Sequence, residues 1–161
     1  VFVEREPGLG PCFRLYFPAA TEPLEPVRRD TEANASAAGG ETVLLVEDEP
    51  QLRVPLGRIL REHGYRVLEA GDADEALATA EAHGPVDLLL SDVVMSRGDG
   101  VELARALAVR QPGVCTLLMS GYAFEALSEE GAAEIGVLRK PVRPDELTSR
   151  VRAALSGRAA A

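Results

Sequence analysis

The chain has 161 residues, room for one ordinary domain and a tail, and is 46% apolar but only 4% aromatic with no Trp, so its core must rest on Leu, Val and Ala. A net charge of −9 argues against a nucleic-acid surface, which needs clustered Lys and Arg, and no apolar run approaches the ~18 residues of a membrane span. Cys12 and Cys115 lie far apart in unlike contexts and read as free thiols of a reducing cytoplasm, while Glu4, Arg5 and Glu6 interrupt any secretory leader.

Residues 1–18 read as a β-hairpin: Val1 to Glu4, a turn around Pro7-Gly8-Leu9-Gly10, then Cys12 to Phe17, where Phe13, Leu15 and Phe17 alternate with Arg14 and Tyr16. An isolated hairpin is marginal in water, so this piece needs a partner surface. Because the chain starts at Val1 inside an apolar stretch, it reads as a fragment or as the product of an unusual start site. Residues 19–41 carry Pro23, Pro26, scattered charges and Ala37-Ala38-Gly39-Gly40, the composition of a flexible linker.

From Thr42 the pattern alternates strand and helix five times. The strands are expected at Val43–Glu47, Tyr65–Glu69, Val86–Ser91, Val114–Met119 and Gly136–Arg139. The first, third and fourth are nearly unbroken apolar runs, as strands covered on both faces require. Leu52, Leu56, Ile59 and Leu60 share one face of the first helix, where interior Pro55 and Gly57 predict a late start or a kink. Asp72 with Glu75 forms a capping-box pattern before the second helix, and Leu103 and Leu107 mark the third. A fourth helix, Ala123 to Ala133, has the weakest apolar stripe. The last opens with Pro144, Asp145 and Glu146 and buries Leu147, Val151 and Leu155, leaving residues 157–161 as a tail. Such alternation implies a parallel sheet with helices on both faces, and ligands then sit beyond the carboxyl ends of the strands.

Those ends carry chemistry. The first strand runs into Glu47-Asp48-Glu49, the third into Ser91-Asp92, the fourth into Ser120-Gly121 and the fifth into Arg139-Lys140-Pro141. Lys140 is the sole lysine beside sixteen arginines. Any one of these residues is an ordinary turn former or cap, but the fold brings all of them to one rim. Two carboxylates ~4 Å apart repel by about 4 kcal/mol at an effective dielectric near 20. Gathering Glu47, Asp48 and Asp92 therefore calls for compensating charge, from Lys140 and a hard divalent cation. Oxygen ligands without His or Cys select Mg²⁺ or Mn²⁺. A carboxylate beside such an ion, an amine and a hydroxyl is equipped for phosphoryl transfer, with Asp92 attacking in line.

The four segments Val-Leu-Leu-Val-Glu47-Asp48-Glu49-Pro50, Leu-Leu-Leu-Ser-Asp92-Val-Val-Met95, Leu-Leu-Met-Ser120-Gly121-Tyr122 and Leu138-Arg-Lys140-Pro141 resemble the signatures of two-component receiver domains. The resemblance spans residues 42–156 and implies a flavodoxin-like (βα)5 fold with strand order 2-1-3-4-5. It implies that Asp92 accepts a phosphoryl group from a phosphohistidine. Glu47, Asp48, Asp92 and the Val94 carbonyl would hold the metal. Ser120 and Lys140 would grip the phosphoryl group, with backbone help from Val93 and Gly121. Four residues depart from the family's habit: Glu47 for the usual Asp, Ser96 for a Pro that stiffens the following loop, Val137 for the switch aromatic, and Val142 for a common Phe. Arg5-Glu6-Pro7-Gly8-Leu9-Gly10 through Phe13 to Pro18 is similar to the last two strands of a histidine-kinase ATP-binding domain.

Together these resemblances imply the carboxyl end of a hybrid sensor kinase, without the kinase catalytic core. The phosphoryl donor would be a histidine kinase or a histidine phosphotransfer protein. The module would be a cytoplasmic monomer or weak dimer, with no contact to nucleic acid or membrane. His63 and His83 precede glycines at helix ends and do not read as phosphodonors. The alternatives are a Mg²⁺-dependent aspartyl-phosphate phosphatase, whose nucleophile would follow the first strand, and a degenerate receiver that only docks a partner.

Overall fold

The computed structural model describes residues 2–6, 10–14, 16, 40–121 and 136–158. The chain divides into two units, Val1–Asn34 and Ala35–Ala161. In the first, β1 (Phe2–Glu6) pairs antiparallel with β2 (Gly10–Arg14), in a register that sets Phe2 opposite Arg14 and Glu6 opposite Gly10. This is the expected hairpin, with its second strand starting two residues earlier than the alternation suggested. Residues 19–39 of the expected linker lie outside the described residues.

The second unit is a five-stranded parallel sheet built from β3 (Thr42–Val46), β4 (Arg66–Ala70), β5 (Leu88–Asp92), β6 (Cys115–Ser120) and β7 (Gly136–Arg139). The spatial order is β4-β3-β5-β6-β7, which is 2-1-3-4-5 when counted within the sheet. Four helices are described: α1 (Pro50–Glu62), α2 (Ala73–His83), α3 (Gly100–Arg110) and α4 (Pro144–Arg158). The helix expected over Ala123–Ala133 lies outside the described residues.

Strand position explains composition. Every residue of β3 and β5 is buried, because each has a strand on both sides and helices on both faces. Edge strands β4 and β7 mix exposed and buried positions. Successive side chains of β3 point to opposite faces and enter different cores. Val43 and Leu45 pack with Leu60 of α1 and with Leu147 and Val151 of α4. Leu44 and Val46 pack with Ala76 and Ala80 of α2 and with Leu103 and Leu107 of α3.

Helix α2 starts as its pattern requires. The Asp72 carboxylate accepts from the Glu75 amide at 2.8 Å, and Glu75 reaches back to the Gly71 amide at 2.6 Å. Helix α1 does not start late: it begins at Pro50 and runs through Pro55 to Glu62. Pro55 and Gln51 are both exposed, so the carbonyl deprived of its partner faces water. Gly57 is buried for a separate reason: a Cβ there would come within 2.6 Å of Glu69 Oε1. The missing side chain leaves room for the ends of the Arg61 and Glu69 side chains, which pair beside it at 2.6 Å.

Leu89 is fully buried in the core facing α2 and α3. Leu89→Ala should cost about 2–5 kcal/mol, read as a lower urea midpoint with an unchanged denaturant slope.

Candidate functional site

Strands β3, β5, β6 and β7 all deliver polar residues to the carboxyl edge of the sheet. Glu47 and Asp48 follow β3, Asp92 closes β5, Ser120 closes β6 and Lys140 follows β7. One carboxylate oxygen from each of Glu47, Asp48 and Asp92 lies within 4.8 Å of the others. Lys140 Nζ donates to Glu47 Oε2 at 2.7 Å and to Asp92 Oδ2 at 2.6 Å. Glu47 is 1% exposed, so its charge is removed from water and depends on these partners. Burial alone would push the Lys140 amine down, yet its hydrogen bonds to Asp92 and Glu47 outweigh that and hold it above its usual range.

Asp48 is held differently. Its Oδ2 accepts from the backbone amide of Ser96 at 2.7 Å, and this bond, followed by a contribution from the Ser96 hydroxyl, holds the carboxyl below its ordinary range. Three carboxylates against one ammonium leave two negative charges in excess. The all-oxygen donor set, with one member deeply buried, fits a hard divalent cation such as Mg²⁺.

The backbone of Asp92 is fixed from two sides. Ser91 Oγ donates to the Asp92 carbonyl at 2.9 Å. Gly100, the first residue of α3, lies so close that a Cβ on it would overlap that same carbonyl. Asp99 starts the helix by accepting from the Val101 and Glu102 amides. Neither Gly100 nor Arg53 stood out in the sequence. Arg53 Nη1 donates to the Glu47 carbonyl at 2.5 Å, and its Nε lies 3.6 Å from Glu69. That contact steadies the peptide carrying both Glu47 and Asp48.

The other predicted site residues fall as follows. Ser120 is buried on the strand next to Asp92, and its hydroxyl donates to the Gly121 carbonyl at 3.0 Å. Gly121 is exposed, with open space where a side chain would stand. The Val93 amide donates to the Met119 carbonyl at 2.9 Å. That corrects its expected role, because the sheet already uses the donor meant for a phosphoryl oxygen. Val94 is 76% exposed and bridges Asp99. The flanking bond from Gly100 N to Val93 O leaves the amide and carbonyl of Val94 turned away from that bridge. Val137 is half-buried in β7, and Val142 packs against the core beneath α1 and α4. His63 and His83 bond the carbonyls of Ile59 and Thr79 four residues back, a helix-end role.

The loop after Met95, which Ser96 was expected to slacken, carries contacts at successive positions. Beyond the Ser96–Asp48 bond, the Arg97 carbonyl accepts from Ala73 N at 3.5 Å, and Arg97 lies 3.6 Å from Asp72. Gly98, at φ 102°, sits where a Cβ would come within 2.8 Å of Ala73 Cβ.

Against protein-family models, residues 43–152 match the response regulator receiver domain. The chain belongs to that family. Among curated relatives, this receiver is 34% identical over 162 residues to sensor kinase CckA of Brucella abortus, covering 94% of this chain and 17% of that protein. It is 36% identical to the transcriptional regulatory protein PdtaR of Mycobacterium tuberculosis, covering 76% of this chain and 60% of the relative. The chain thus spans less than two thirds of both, and about a sixth of CckA. Among solved structures, the receiver domain from hybrid histidine kinase CckA superimposes with a TM-score of 0.55 at 36% identity, covering 71% of this chain and 98% of that one. The protein carries a receiver domain of two-component signalling, with homologues in hybrid kinases and in response regulators. No described helix is long and apolar enough to cross a membrane.

The depressed Asp48 carboxyl sets a pH dependence. A group whose folded pKa is lowered contributes stability above its unfolded value, and that contribution is lost as pH falls through the folded value. In the metal-free receiver, Asp48 should titrate below its ordinary 3.8 by carboxyl-carbon NMR. Its share of the stability should disappear only under more acid conditions than that.

Proposed function

We propose that the chain is a phospho-acceptor of a phosphorelay, taking a phosphoryl group onto Asp92 from a phosphohistidine with Mg²⁺ bound. The observation that carries this reading is Lys140 Nζ, 2.6 Å from Asp92 Oδ2 at the edge of a three-carboxylate cluster. Glu47, Asp48 and Asp92, with the Val94 carbonyl, would hold the ion. When bound, it neutralises charge on the phosphoryl oxygens. The rest falls to the chain's own groups. Oδ2 of Asp92 is engaged by Lys140, so Oδ1 is the attacking oxygen. A P–O bond forms to Asp92 as the P–N bond to the donor imidazole breaks, and the imidazole keeps the electron pair and then takes a proton from solvent. Lys140, already charged and already at Asp92, stays with the acceptor as the phosphoryl group arrives. Ser120 turns its hydroxyl from the Gly121 carbonyl to a phosphoryl oxygen, and the exposed Gly121 backbone gives the group room.

The donor would be a histidine kinase or a histidine phosphotransfer protein in the cytoplasm. The same reading makes residues 1–18 the end of a kinase ATP-binding domain and residues 19–41 the linker of a hybrid sensor kinase. In support, the alignment to CckA covers 94% of the chain, so it includes most of the segment before residue 43. The paired strands β1 and β2 agree with such an ending.

With acetyl phosphate and Mg²⁺, the wild type should gain an acid-stable, alkali-labile phosphoryl group seen by mass spectrometry, and Asp92→Asn should gain none. Chelation of Mg²⁺ should strongly reduce labelling. Equal labelling of both proteins would refute the assignment.

A further inference from the structure

We infer that the backbone amide of Ser96 is a positioning group for the metal site, holding Asp48 so that a divalent cation meets an already oriented carboxylate. This deepens the Mg²⁺ reading above and rests on it. Each carboxylate of the cluster has one short donor. Glu47 and Asp92 share Lys140, at 2.7 and 2.6 Å. Asp48 alone takes its short bond from a main-chain N–H, Ser96 to Oδ2 at 2.7 Å, across 48 residues of sequence. A main-chain donor is stiffer than a side chain only if its loop is stiff, and this loop is held on both sides of the amide. Met95, just before Ser96, is buried in the core facing α2 and α3. Arg97, just after it, is tied to Asp72 and Ala73 at the start of α2, and Gly98 closes against Ala73. The N–H is therefore presented by a braced segment.

The bond occupies Oδ2 and leaves Oδ1 of Asp48 for the cation. A carboxylate fixed through one oxygen loses less orientational freedom when the other binds metal, and removing such outer partners typically weakens metal affinity 10–100-fold. Proline at position 96, the residue this family usually carries there, has no N–H to give. The N–H is thus the group that proline would remove, and the Ser96 hydroxyl is a second, separable contributor at Asp48.

The test is a Mg²⁺ titration of the full chain and of two variants, followed by ¹H–¹⁵N NMR. Ser96→Pro deletes the donor, and Ser96→Ala keeps it while deleting the hydroxyl. The expected result is a dissociation constant raised about tenfold or more in Ser96→Pro and changed less than about twofold in Ser96→Ala. In the wild type, the Ser96 amide should exchange with solvent far more slowly than its neighbour at exposed Arg97, both without and with Mg²⁺. Wild-type affinity in Ser96→Pro, or an equal loss in Ser96→Ala, overturns the proposal. If Ser96→Pro does not fold, the wild-type exchange rate decides: a Ser96 amide as labile as that of Arg97 overturns it as well. A wild type whose Glu47, Asp48 and Asp92 resonances ignore Mg²⁺ would sink the metal reading itself, a result distinct from a bound metal that is indifferent to residue 96.

Discussion

Charge neutralisation at the carboxyl edge of the sheet is the constraint on which the rest of this receiver depends. Glu47, Asp48 and Asp92 arrive on two strands that are adjacent by topology, and the fold cannot keep them apart. Lys140 is the cation that makes their proximity tolerable. It comes from β7, which is not a neighbour of the strand carrying Glu47, so its bonds reach across the sheet. A compact ammonium with three donors on a flexible stem can serve two carboxylates at once, which a flat guanidinium does less readily in so small a space. The preference for one lysine among sixteen arginines has its explanation here.

The Ser96 loop shows how a departure from family habit is absorbed. A proline would stiffen the segment through its ring. This chain spreads the same task over Arg97 against Asp72, Gly98 against Ala73, the Asp99 cap and the seat of Gly100 on the Asp92 carbonyl. Each contact is modest, but they act in series along four consecutive residues. The loop that follows Asp92 is thereby tied both to the start of α2 and, through Ser96, to Asp48.

Much of the fold was legible because apolar runs end abruptly in polar residues, and a parallel sheet converts each such ending into a place on one rim. Boundaries were legible to within a residue or two. Three of the five strands, β4, β5 and β6, begin later than their apolar runs suggested, β3 begins and ends one residue sooner, and β7 matches. Strand β5 ends later, because ladder pairing extends to Asp92, which sits opposite Met119. Periodicity does not report that pairing. Helix α1 does not start late as its interior proline suggested, since Pro55 faces solvent while Gly57 and Leu60 are buried. The acids and the lysine of the site were readable from residue type and position. The amide of Ser96, the spent amide of Val93 and the reach of Arg53 to the Glu47 carbonyl were not. They depend on main-chain direction and on contacts between distant segments, which residue identity does not encode.

Strand β3 gives its alternate side chains to two separate cores, one beneath α1 and α4 and the other beneath α2 and α3. The sheet is in this sense a partition wall. Leu44 and Leu45 are neighbours in the chain, yet they answer to different surroundings. Repacking on one side of the wall leaves the side chains on the other undisturbed, provided the strands keep their register. The two outer surfaces are therefore free to diversify independently, while both stay anchored to the same row of acids and one amine.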